Sequence, residues 1–367
     1  DKSTWAEVLN SNEQISLPHG VDSADPFVKI LDPAVGTGTF LVEVIDLVEA
    51  VVKSKIRAEG ANDQELLAKW NIYVSTYLLR RLNGFEFMMA PYVIAHLKIS
   101  LKLYETGFRF NNQERVGIYL TNSLAPPHDN SSELQGIMPK LADEVVLVNK
   151  TKENARFTVV LGNPPYSSVS QNNSSYISAE LKKYLFDDKG EIKEKSNRNH
   201  LQDDYVKFIR LADLAITRTG CGVISMITNN SYLAGSWFRG MRYNIFQRFN
   251  QIRIVNLHGG KGFVRNSGAD DQNVFEIMQS VAIGSFSLKS KCTREFLYVD
   301  VIGSREAKYQ QLASVEGLRQ RSEVLEPSGV NQWLFMPMDT SQMEIWEKGI
   351  SLENVFREWG AAVKTNR

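Results

Sequence analysis

The stretch Phe27-Val-Lys-Ile-Leu31, followed at once by Asp32-Pro-Ala-Val-Gly-Thr-Gly-Thr-Phe-Leu41, decides the fold of this chain. Residues 42–56 then carry apolar side chains at helical spacing, with acids and lysines on the other face. This order predicts a buried strand, a glycine turn and a helix. Glycines directly after a strand let a ligand approach closely and present the first amides of the helix to it. The stretch therefore predicts a ligand-binding unit or, as the alternative, a plain turn between strand and helix.

The glycine turn lacks the features of two common nucleotide sites. No Gly-Lys-Ser/Thr follows it, so it is not a phosphate-binding P-loop, and Leu41 stands at the third glycine position of the dinucleotide fingerprint. A ligand without a pyrophosphate does not need that third glycine. An acidic residue before the turn, Asp32, suits an ammonium-bearing ligand such as the methionine moiety of S-adenosylmethionine.

Further strand-like runs follow this unit and alternate with helical stretches. They are Leu82–Phe87, Val116–Thr121, Phe157–Leu161, Gly222–Thr228, Ile252–Leu257 and Ser280–Phe286. Alternating strands and helices predict an α/β fold, with a doubly wound, mostly parallel, seven-stranded Rossmann-like sheet and helices on both faces. From residue 288 onward the alternation becomes irregular, with one more strand-like run at Phe296–Val301.

The composition excludes several classes of protein. The 367 residues are 43% hydrophobic and 23% charged, which excludes intrinsic disorder, collagen-like chains and coiled coils. Only two cysteines are present, so a disulfide scaffold is excluded and both are expected to be reduced thiols. No apolar run reaches the roughly 18–20 residues of a membrane helix, and no leader is visible, which predicts a soluble, cytoplasmic protein without membrane contact. Histidine and cysteine spacings predict no metal site.

Charge is balanced overall but not along the chain. Lys+Arg and Asp+Glu both number 42, yet Leu214–Ala269 contains no acid. Seven positive residues lie in this acid-free stretch: Arg218, Arg239, Arg242, Arg248, Arg253, Lys261 and Arg265. Such an asymmetry is typical of a surface that faces a polyanion. A chance gap among scattered surface arginines is the alternative.

Two other sites carry chemistry. Glu86 ends the second strand, where a doubly wound fold holds a ribose through its hydroxyls, although a surface glutamate is the plain alternative. Gly162-Asn-Pro-Pro-Tyr166 directly follows the strand ending at Leu161. Two prolines fix the backbone, so that the Asn163 side chain and the Pro164 carbonyl can converge as hydrogen-bond acceptors. With the flat face of Tyr166, this trio suits an exocyclic amino group on a planar ring; a rigid proline turn with a core tyrosine is the alternative.

In this order, Asp32-Pro-Ala-Val-Gly-Thr-Gly, Glu86 and Asn163-Pro-Pro-Tyr resemble the S-adenosylmethionine-dependent DNA adenine-N6 methyltransferases with the gamma order of motifs. Further stretches are similar to the methyltransferase part of Type ISP single-chain restriction-modification enzymes, in which nuclease, helicase, methylase and recognition parts share one polypeptide. These stretches are Asp204–Arg210, Val255–Gly259, Gln272–Glu276 and Val363–Arg367. The resemblance implies a catalytic domain over residues 1–287 and, over residues 288–367, an extension leading toward a target-recognition domain.

The resemblance also implies roles for individual residues. Asn163, Pro164, Pro165 and Tyr166 would be catalytic; Asp32, Pro33, Ala34, Gly36, Gly38, Thr39, Phe40, Glu86 and Asn122 would bind S-adenosylmethionine. Asn122 stands where such enzymes often have Asp against the cofactor's adenine. Tyr166 and Phe275 would contact the flipped base, and Arg239, Arg242, Lys261 and Arg265 would contact DNA. The further motif that relatives carry before the cofactor loop, usually with Thr-Pro, is missing before Leu31, which suggests a fragment.

The predicted activity is methyl transfer to the N6 amino group of an adenine flipped out of double-stranded DNA, by a monomer, with nuclease and helicase modules expected on the full-length polypeptide. The closest rival is an RNA or protein-glutamine N-methyltransferase with the same acceptor trio. A catalytically inert DNA-recognition module is the other. Cytosine-carbon methylation is excluded, because it needs a nucleophilic cysteine, typically after proline, and Cys221 and Cys292 follow Gly and Lys.

Overall fold

A computed structural model describes residues 4–11, 15–111, 113–127, 139–166, 174–192, 200–260, 271–289 and 292–338. The strands in chain order are β1 Ile30–Asp32, β2 Leu82–Glu86, β3 Gly117–Leu120, β4 Val159–Gly162, β5 Phe186–Asp187, β6 Gly190–Glu191, β7 Gly222–Asn229, β8 Gln251–His258, β9 Val281–Leu288, β10 Glu295–Asp300 and β11 Glu323–Val324. The α-helices are α1 Trp5–Ser11, α2 Thr39–Ala58, α3 Asp63–Tyr73, α4 Met89–Glu105, α5 Pro139–Asn154, α6 Ser175–Leu181, α7 Asp204–Thr219, α8 Arg239–Arg248, α9 Arg305–Leu312 and α10 Val315–Gln320.

The α/β architecture is confirmed, but the sheet has nine strands in the described residues rather than the predicted seven. Its order is β11-β10-β8-β9-β7-β4-β1-β2-β3. The seven predicted strands form the continuous block from β8 to β3, in which β9 is antiparallel to both of its neighbours. The remaining pairs of this block are parallel.

The two additional strands come from beyond residue 287. Strand β10 pairs in parallel with β8 over six residues, from Glu295 opposite Gln251 to Asp300 opposite Asn256, and β11 pairs antiparallel with β10. Trp333 and Phe335, later still in the chain, are buried. The predicted boundary after residue 287 therefore falls inside the sheet, and residues 339–367 lie outside the described part.

Helices cover both faces of the sheet because neighbouring strand residues point to opposite sides. On β1, Ile30 packs in one apolar cluster and Leu31 in the other. The first cluster is built around α2, α3 and α4, and the second around α7 and α8. Helix α3 begins with a capping box in which Asn62 and Glu65 bond each other's backbone amides. No helix among the described residues is long and apolar enough to cross a membrane.

The functional edge of the sheet follows from the strand order. From β1 the chain moves by way of α2 to β2 on one side, and later returns to β4 on the other side. Such a topological switch opens a crevice at the carboxyl ends of the strands, where ligands bind in open α/β sheets. The glycine turn after β1 and the Asn163 motif after β4 flank this crevice, since Leu31 of β1 pairs with Val160 of β4.

Candidate active site

The glycine turn after β1 contains two residues with a left-handed backbone conformation, which favours glycine. Gly36 has φ 54° and Gly38 has φ 82°, both in the left-handed region. Gly38 is also the N-terminal cap of α2, and a Cβ atom there would lie 3.0 Å from Cδ1 of Ile99. Both positions therefore favour glycine, and the turn leads directly into the first residues of α2.

Other predicted loop residues lie along the same edge. Pro33 is buried, and its carbonyl accepts a hydrogen bond from Ser123 Oγ on the turn after β3. Ala34 and Phe40 are half-buried, whereas Thr39 is exposed. The turns after β1 and β3 are thus tied together, which fixes the wall on which these residues sit.

Glu86 braces the glycine turn. Its Oε2 accepts from the Gly36 amide at 2.9 Å and its Oε1 accepts from the Met88 amide at 2.8 Å. Each carboxylate oxygen can accept further hydrogen bonds, so the predicted contact with ribose hydroxyls stays available. In the structure, Glu86 also stabilises the conformation of the glycine turn through its bond to the Gly36 amide.

Asp32 is the buried acid of the site. It is 1% exposed, its Oδ1 accepts from the Ala34 amide at 3.1 Å, and its Oδ2 has no hydrogen-bond partner among the described residues. Burial, opposed by the Ala34 amide and reinforced by the charge of Glu86, raises the pKa of Asp32 to about 7. An incompletely satisfied carboxylate next to a ligand crevice is a group that a positively charged ligand would stabilise.

Gly162 brings the two main motifs into contact. A Cβ atom at this position would lie 2.8 Å from Asp32 Oδ1, closer than such atoms approach. Only glycine therefore allows β4 to end against the Asp32 carboxylate. Because Asn163 is the next residue, the predicted acceptor motif and the predicted cofactor loop meet at one edge.

The Asn163 side chain is oriented by Tyr166. The Tyr166 hydroxyl lies 2.5 Å from Asn163 Oδ1 and 3.1 Å from the Ile227 carbonyl oxygen. Burial raises the pKa of Tyr166, so its hydroxyl stays a proton donor. Asn163 and Pro165 are exposed, Pro164 is buried, and Asn163 Oδ1 keeps one lone pair for an incoming donor. The sequence predicts only a stacking role for Tyr166, and it gives no sign of this hydrogen bond to Asn163.

Asn122 and Lys152 shape the turn after β3. Asn122 Oδ1 accepts from the Leu124 amide at 2.9 Å, and the Asn122 carbonyl accepts from Lys152 Nζ at 2.7 Å. Lys152 also donates to the Ala125 carbonyl at 3.1 Å, and burial lowers its pKa to about 8. Nothing in the sequence singled out Lys152, because it is one of several polar residues on the amphipathic helix α5.

Phe275 and Tyr166 contact one apolar cluster in the structure. Both are partly buried and pack against the same apolar cluster, which includes Leu257 and Val281. The Phe275 amide donates to Asn273 Oδ1 at 2.9 Å. The structure thus brings the two aromatics predicted to contact a base to one cluster, and their roles stay predictions.

In the acid-free stretch, Arg242 is fully buried and does not lie on the surface. Its guanidinium donates to four backbone carbonyls, those of Trp333, Tyr232, Gly235 and Gln332. The prediction that Arg242 contacts DNA is therefore wrong, since a side chain enclosed by the core cannot reach a phosphate.

Acids from outside the stretch neutralise three more of its arginines. Arg239 pairs with Asp187 at 2.5 Å, Arg248 with Asp213 at 3.1 Å and Arg253 with Glu295 at 3.8 Å. These arginines do not form the unpaired positive surface that the sequence predicted. Lys261 and Arg265 lie outside the described residues.

A mostly parallel sheet in which β9 runs antiparallel to both of its neighbours, with a glycine turn at the switch point and an Asn-Pro-Pro-Tyr corner beside it, is typical of an α/β fold of the methyltransferase type. The model of the Eco57I restriction-modification methylase family matches residues 82–263. This part of the chain is therefore similar to the restriction-modification methylases of the Eco57I family.

Solved structures share this fold over most of the chain. The ATP-dependent Type ISP restriction-modification enzyme LlaBIII bound to DNA is 25% identical with a TM-score of 0.65, covering 89% of this chain and 21% of that chain. A nuclease-deletion mutant of the Type ISP enzyme LlaGI with a DNA substrate mimic is 23% identical with a TM-score of 0.65, covering 92% of this chain and 26% of that one. A DrdV–DNA complex is 22% identical with a TM-score of 0.62, covering 91% of this chain and 30% of that chain.

The chain thus spans 21–30% of the length of these three proteins. A search of curated proteins gave no match. The predicted resemblance to the methyltransferase part of restriction-modification enzymes is confirmed.

Proposed function

We propose that this chain transfers a methyl group from S-adenosylmethionine to the exocyclic N6 amino group of an adenine flipped out of double-stranded DNA, as the methyltransferase part of a larger restriction-modification enzyme. The observation that carries the proposal is the contact of Gly162 with Asp32, which sets the Asn163 motif beside the glycine turn. The family match over residues 82–263 supports methyl transfer in a restriction-modification system. The DNA-bound LlaBIII structure supports DNA as the substrate.

The residues around the glycine turn fit S-adenosylmethionine. Asp32 has a buried oxygen without a described partner, a group suited to the positive charge of the cofactor's amino-acid end. The amides at the start of α2 and the Glu86 carboxylate supply donors and acceptors for its carboxylate and ribose. Pro33, Ala34, Thr39, Phe40 and Asn122 would line the same edge. When bound, the cofactor supplies a methyl group activated by a sulfonium.

Asn163 and Pro164 would prepare the target nitrogen. The adenine amino group is a weak nucleophile because its lone pair is delocalised into the ring. When Asn163 Oδ1 and the Pro164 carbonyl both accept its N–H bonds, the nitrogen is biased toward a tetrahedral form and its lone pair is aligned for attack. Tyr166 holds Asn163 Oδ1 in place through its hydroxyl. The nitrogen becomes acidic once methylated, so its proton leaves to solvent without a strong base.

Extruding the base from the duplex costs roughly a few kcal/mol. Stacking on an aromatic side chain returns roughly 1–3 kcal/mol. Tyr166 and Phe275 pack against one cluster and would together offset more of this cost than either ring alone. Arg239, Lys261 and Arg265 would contact DNA phosphates. Arg239 pairs with Asp187, so a phosphate would have to compete with that carboxylate.

The decisive experiment compares Asn163→Ala with the unmodified chain. Labelled methyl transfer from S-adenosylmethionine to unmethylated genomic DNA is measured, and the methylated nucleoside is identified by mass spectrometry. We expect N6-methyladenine as the product and a loss of about 100-fold or more in rate for Asn163→Ala, as for removal of a group that stabilises a transition state. Cofactor affinity measured by calorimetry should change less than about twofold, since Asn163 lies outside the glycine turn.

The control is Gln320→Ala, which removes an exposed amide on α10 and should leave the rate unchanged. Ribosomal RNA and protein substrates are assayed in parallel. Label in glutamine or RNA rather than DNA adenine would contradict the proposal and favour the rival methyltransferases. An unmodified chain that binds no cofactor would favour the inert recognition module.

A further inference from the structure

Helix α9 presents three hydrogen-bond donors to one segment of the chain. Arg305, Lys308 and Tyr309 stand at positions i, i+3 and i+4, which share one face of a helix. All three side chains reach the segment that leads to Phe275. No motif of the sequence drew attention to α9, which lies in the predicted extension.

The three donors bond three consecutive backbone carbonyls. Lys308 Nζ donates to the Gln272 carbonyl at 2.6 Å, Arg305 Nε to the Asn273 carbonyl at 3.1 Å and Tyr309 OH to the Val274 carbonyl at 3.0 Å. A run of successive carbonyls held by side chains of one helix fixes the path of the backbone in the way a neighbouring strand would.

Lys308 is the centre of this clamp. It is fully buried, and its ammonium also donates to the Leu257 carbonyl at 2.6 Å and to Asp271 Oδ1 at 2.7 Å. Asp271 in turn accepts from the Gly259 amide at 2.9 Å and the Gly303 amide at 3.0 Å. The end of β8, the start of α9 and the segment from residue 271 are therefore joined around one buried ion pair.

The clamped segment has little freedom beyond these bonds. A Cβ atom on Gly259 would lie 2.4 Å from Asn273 Cα, so the two backbones are in direct contact. Asn273 Nδ2 donates to the Ile277 and Gln279 carbonyls at 3.1 and 2.8 Å, and Asn273 Oδ1 accepts from the Phe275 amide. The turn that carries Phe275 is thus set by Asn273, and Asn273 is set by α9.

We propose that Lys308, Arg305 and Tyr309 are positioning residues that hold Phe275 against the apolar cluster that Tyr166 also contacts. Both aromatic side chains would then be preorganised for the target base. The inference rests on the proposed function, in which Phe275 contacts that base. None of the three side chains touches the reacting atoms. They act through the backbone of residues 272–274, and the methyltransferase site therefore depends on a helix beyond the predicted catalytic domain.

The test uses Tyr309→Phe and Lys308→Met in the complete chain. Hydrogen–deuterium exchange of the amides of residues 272–276 is measured together with kcat and KM for DNA methylation and with cofactor affinity. For Tyr309→Phe, which removes a single hydroxyl, we expect exchange to rise and kcat to fall by about fivefold each, the equivalent of one neutral hydrogen bond. Lys308→Met should have a larger effect of the same kind, and cofactor affinity should stay within about twofold.

Lys53→Met is the matched control. Lys53 also donates to a backbone carbonyl, that of Thr106 at 2.7 Å, but it lies on α2 away from Phe275. It should leave exchange at residues 272–276 and kcat unchanged. If Tyr309→Phe leaves kcat unchanged, or lowers it no more than Lys53→Met does, the inference is overturned while the proposed function stands. If the unmodified chain methylates no adenine in DNA, the proposed function fails and the inference falls with it, a failure visible before any variant is made.

Discussion

Because the pKa of Asp32 is raised to about 7, we expect the affinity for S-adenosylmethionine to depend on pH near neutrality. A typical aspartate titrates near pH 4 and would leave binding constant between pH 6 and 8. Asp32, with a pKa of about 7, is mostly protonated at pH 6 in the free protein. A neutral carboxyl does not attract the positive end of S-adenosylmethionine. We therefore expect binding to weaken as the pH falls below 7.

The magnitude follows from linkage. If the bound cofactor returns the pKa of Asp32 toward the ordinary aspartate value of 3.8, about nine tenths of a proton leaves on binding at pH 6 and about a quarter at pH 7.5. The apparent Kd should then be about eightfold weaker at pH 6 than at pH 7.5. The pH is kept below 8 because the cofactor's own amino group loses its proton near there.

Isothermal titration calorimetry measures both quantities. Titrations at pH 6 in two buffers of different ionisation enthalpy give the number of protons released, and titrations across the range give Kd. Asp32→Asn serves as the control for other titrating groups, because it should bind with a Kd that no longer varies. A Kd that is constant between pH 6 and 7.5, or an equal pH dependence in Asp32→Asn, would refute the assignment of the titration to Asp32.

Three further substitutions test packing and burial. Gly162→Ala places a methyl group 2.8 Å from Asp32 Oδ1, so we expect a loss of about 1–3 kcal/mol in the free energy of unfolding and weaker cofactor binding, measured by denaturant titration and calorimetry; unchanged values for both would mean that the contact relaxes freely. Arg242→Met leaves four backbone carbonyls without their donor, two of them buried, and should cost about 3–5 kcal/mol or prevent folding. Arg253→Met, at a side chain that is 52% exposed, should change stability by less than about 0.5 kcal/mol, and equal effects of the two arginine substitutions would contradict the burial argument.

The local parts of the fold could be predicted from local sequence. The run Gly222–Thr228 corresponds to β7, and the run Ile252–Leu257 corresponds to β8, because buried strands need continuous apolar and β-branched residues. The glycines of the turn after β1 could also be singled out from the sequence, because they directly follow a strand, and the structure adds that Gly36 and Gly38 have left-handed backbone, which favours glycine. Helix α3 ends at Tyr73 and a π-helical turn continues from Val74 to Leu78, a change of helix type that the sequence pattern does not predict.

Long-range pairing was beyond the sequence pattern. The run Phe296–Val301 was recognisable as a strand, but its partnership with Gln251–His258 depends on contacts more than 40 residues apart. Strand β11 has only two residues, too few to leave a periodic signal. For this reason the sheet was expected to stop at seven strands.

Charge was the least predictable property. The stretch without acids looked positive because its partners are distant in sequence: Asp187 reaches Arg239, and Glu295 reaches Arg253. The burial of Arg242 depends on carbonyls of Gln332 and Trp333, about 90 residues later. Charge counted along a chain is therefore a poor measure of charge on a folded surface.

The pairing of β10 with β8 has a practical consequence for anyone who shortens this protein. A chain cut after residue 287 would leave the six residues from Gln251 to Asn256 with unsatisfied backbone groups along a newly exposed border. It would also lose Phe296 and Tyr298, which are buried. An exposed edge strand of this kind can pair with other chains and cause aggregation. Expression trials should therefore keep the polypeptide to at least Phe335, whose amide bonds the carbonyl of Leu233.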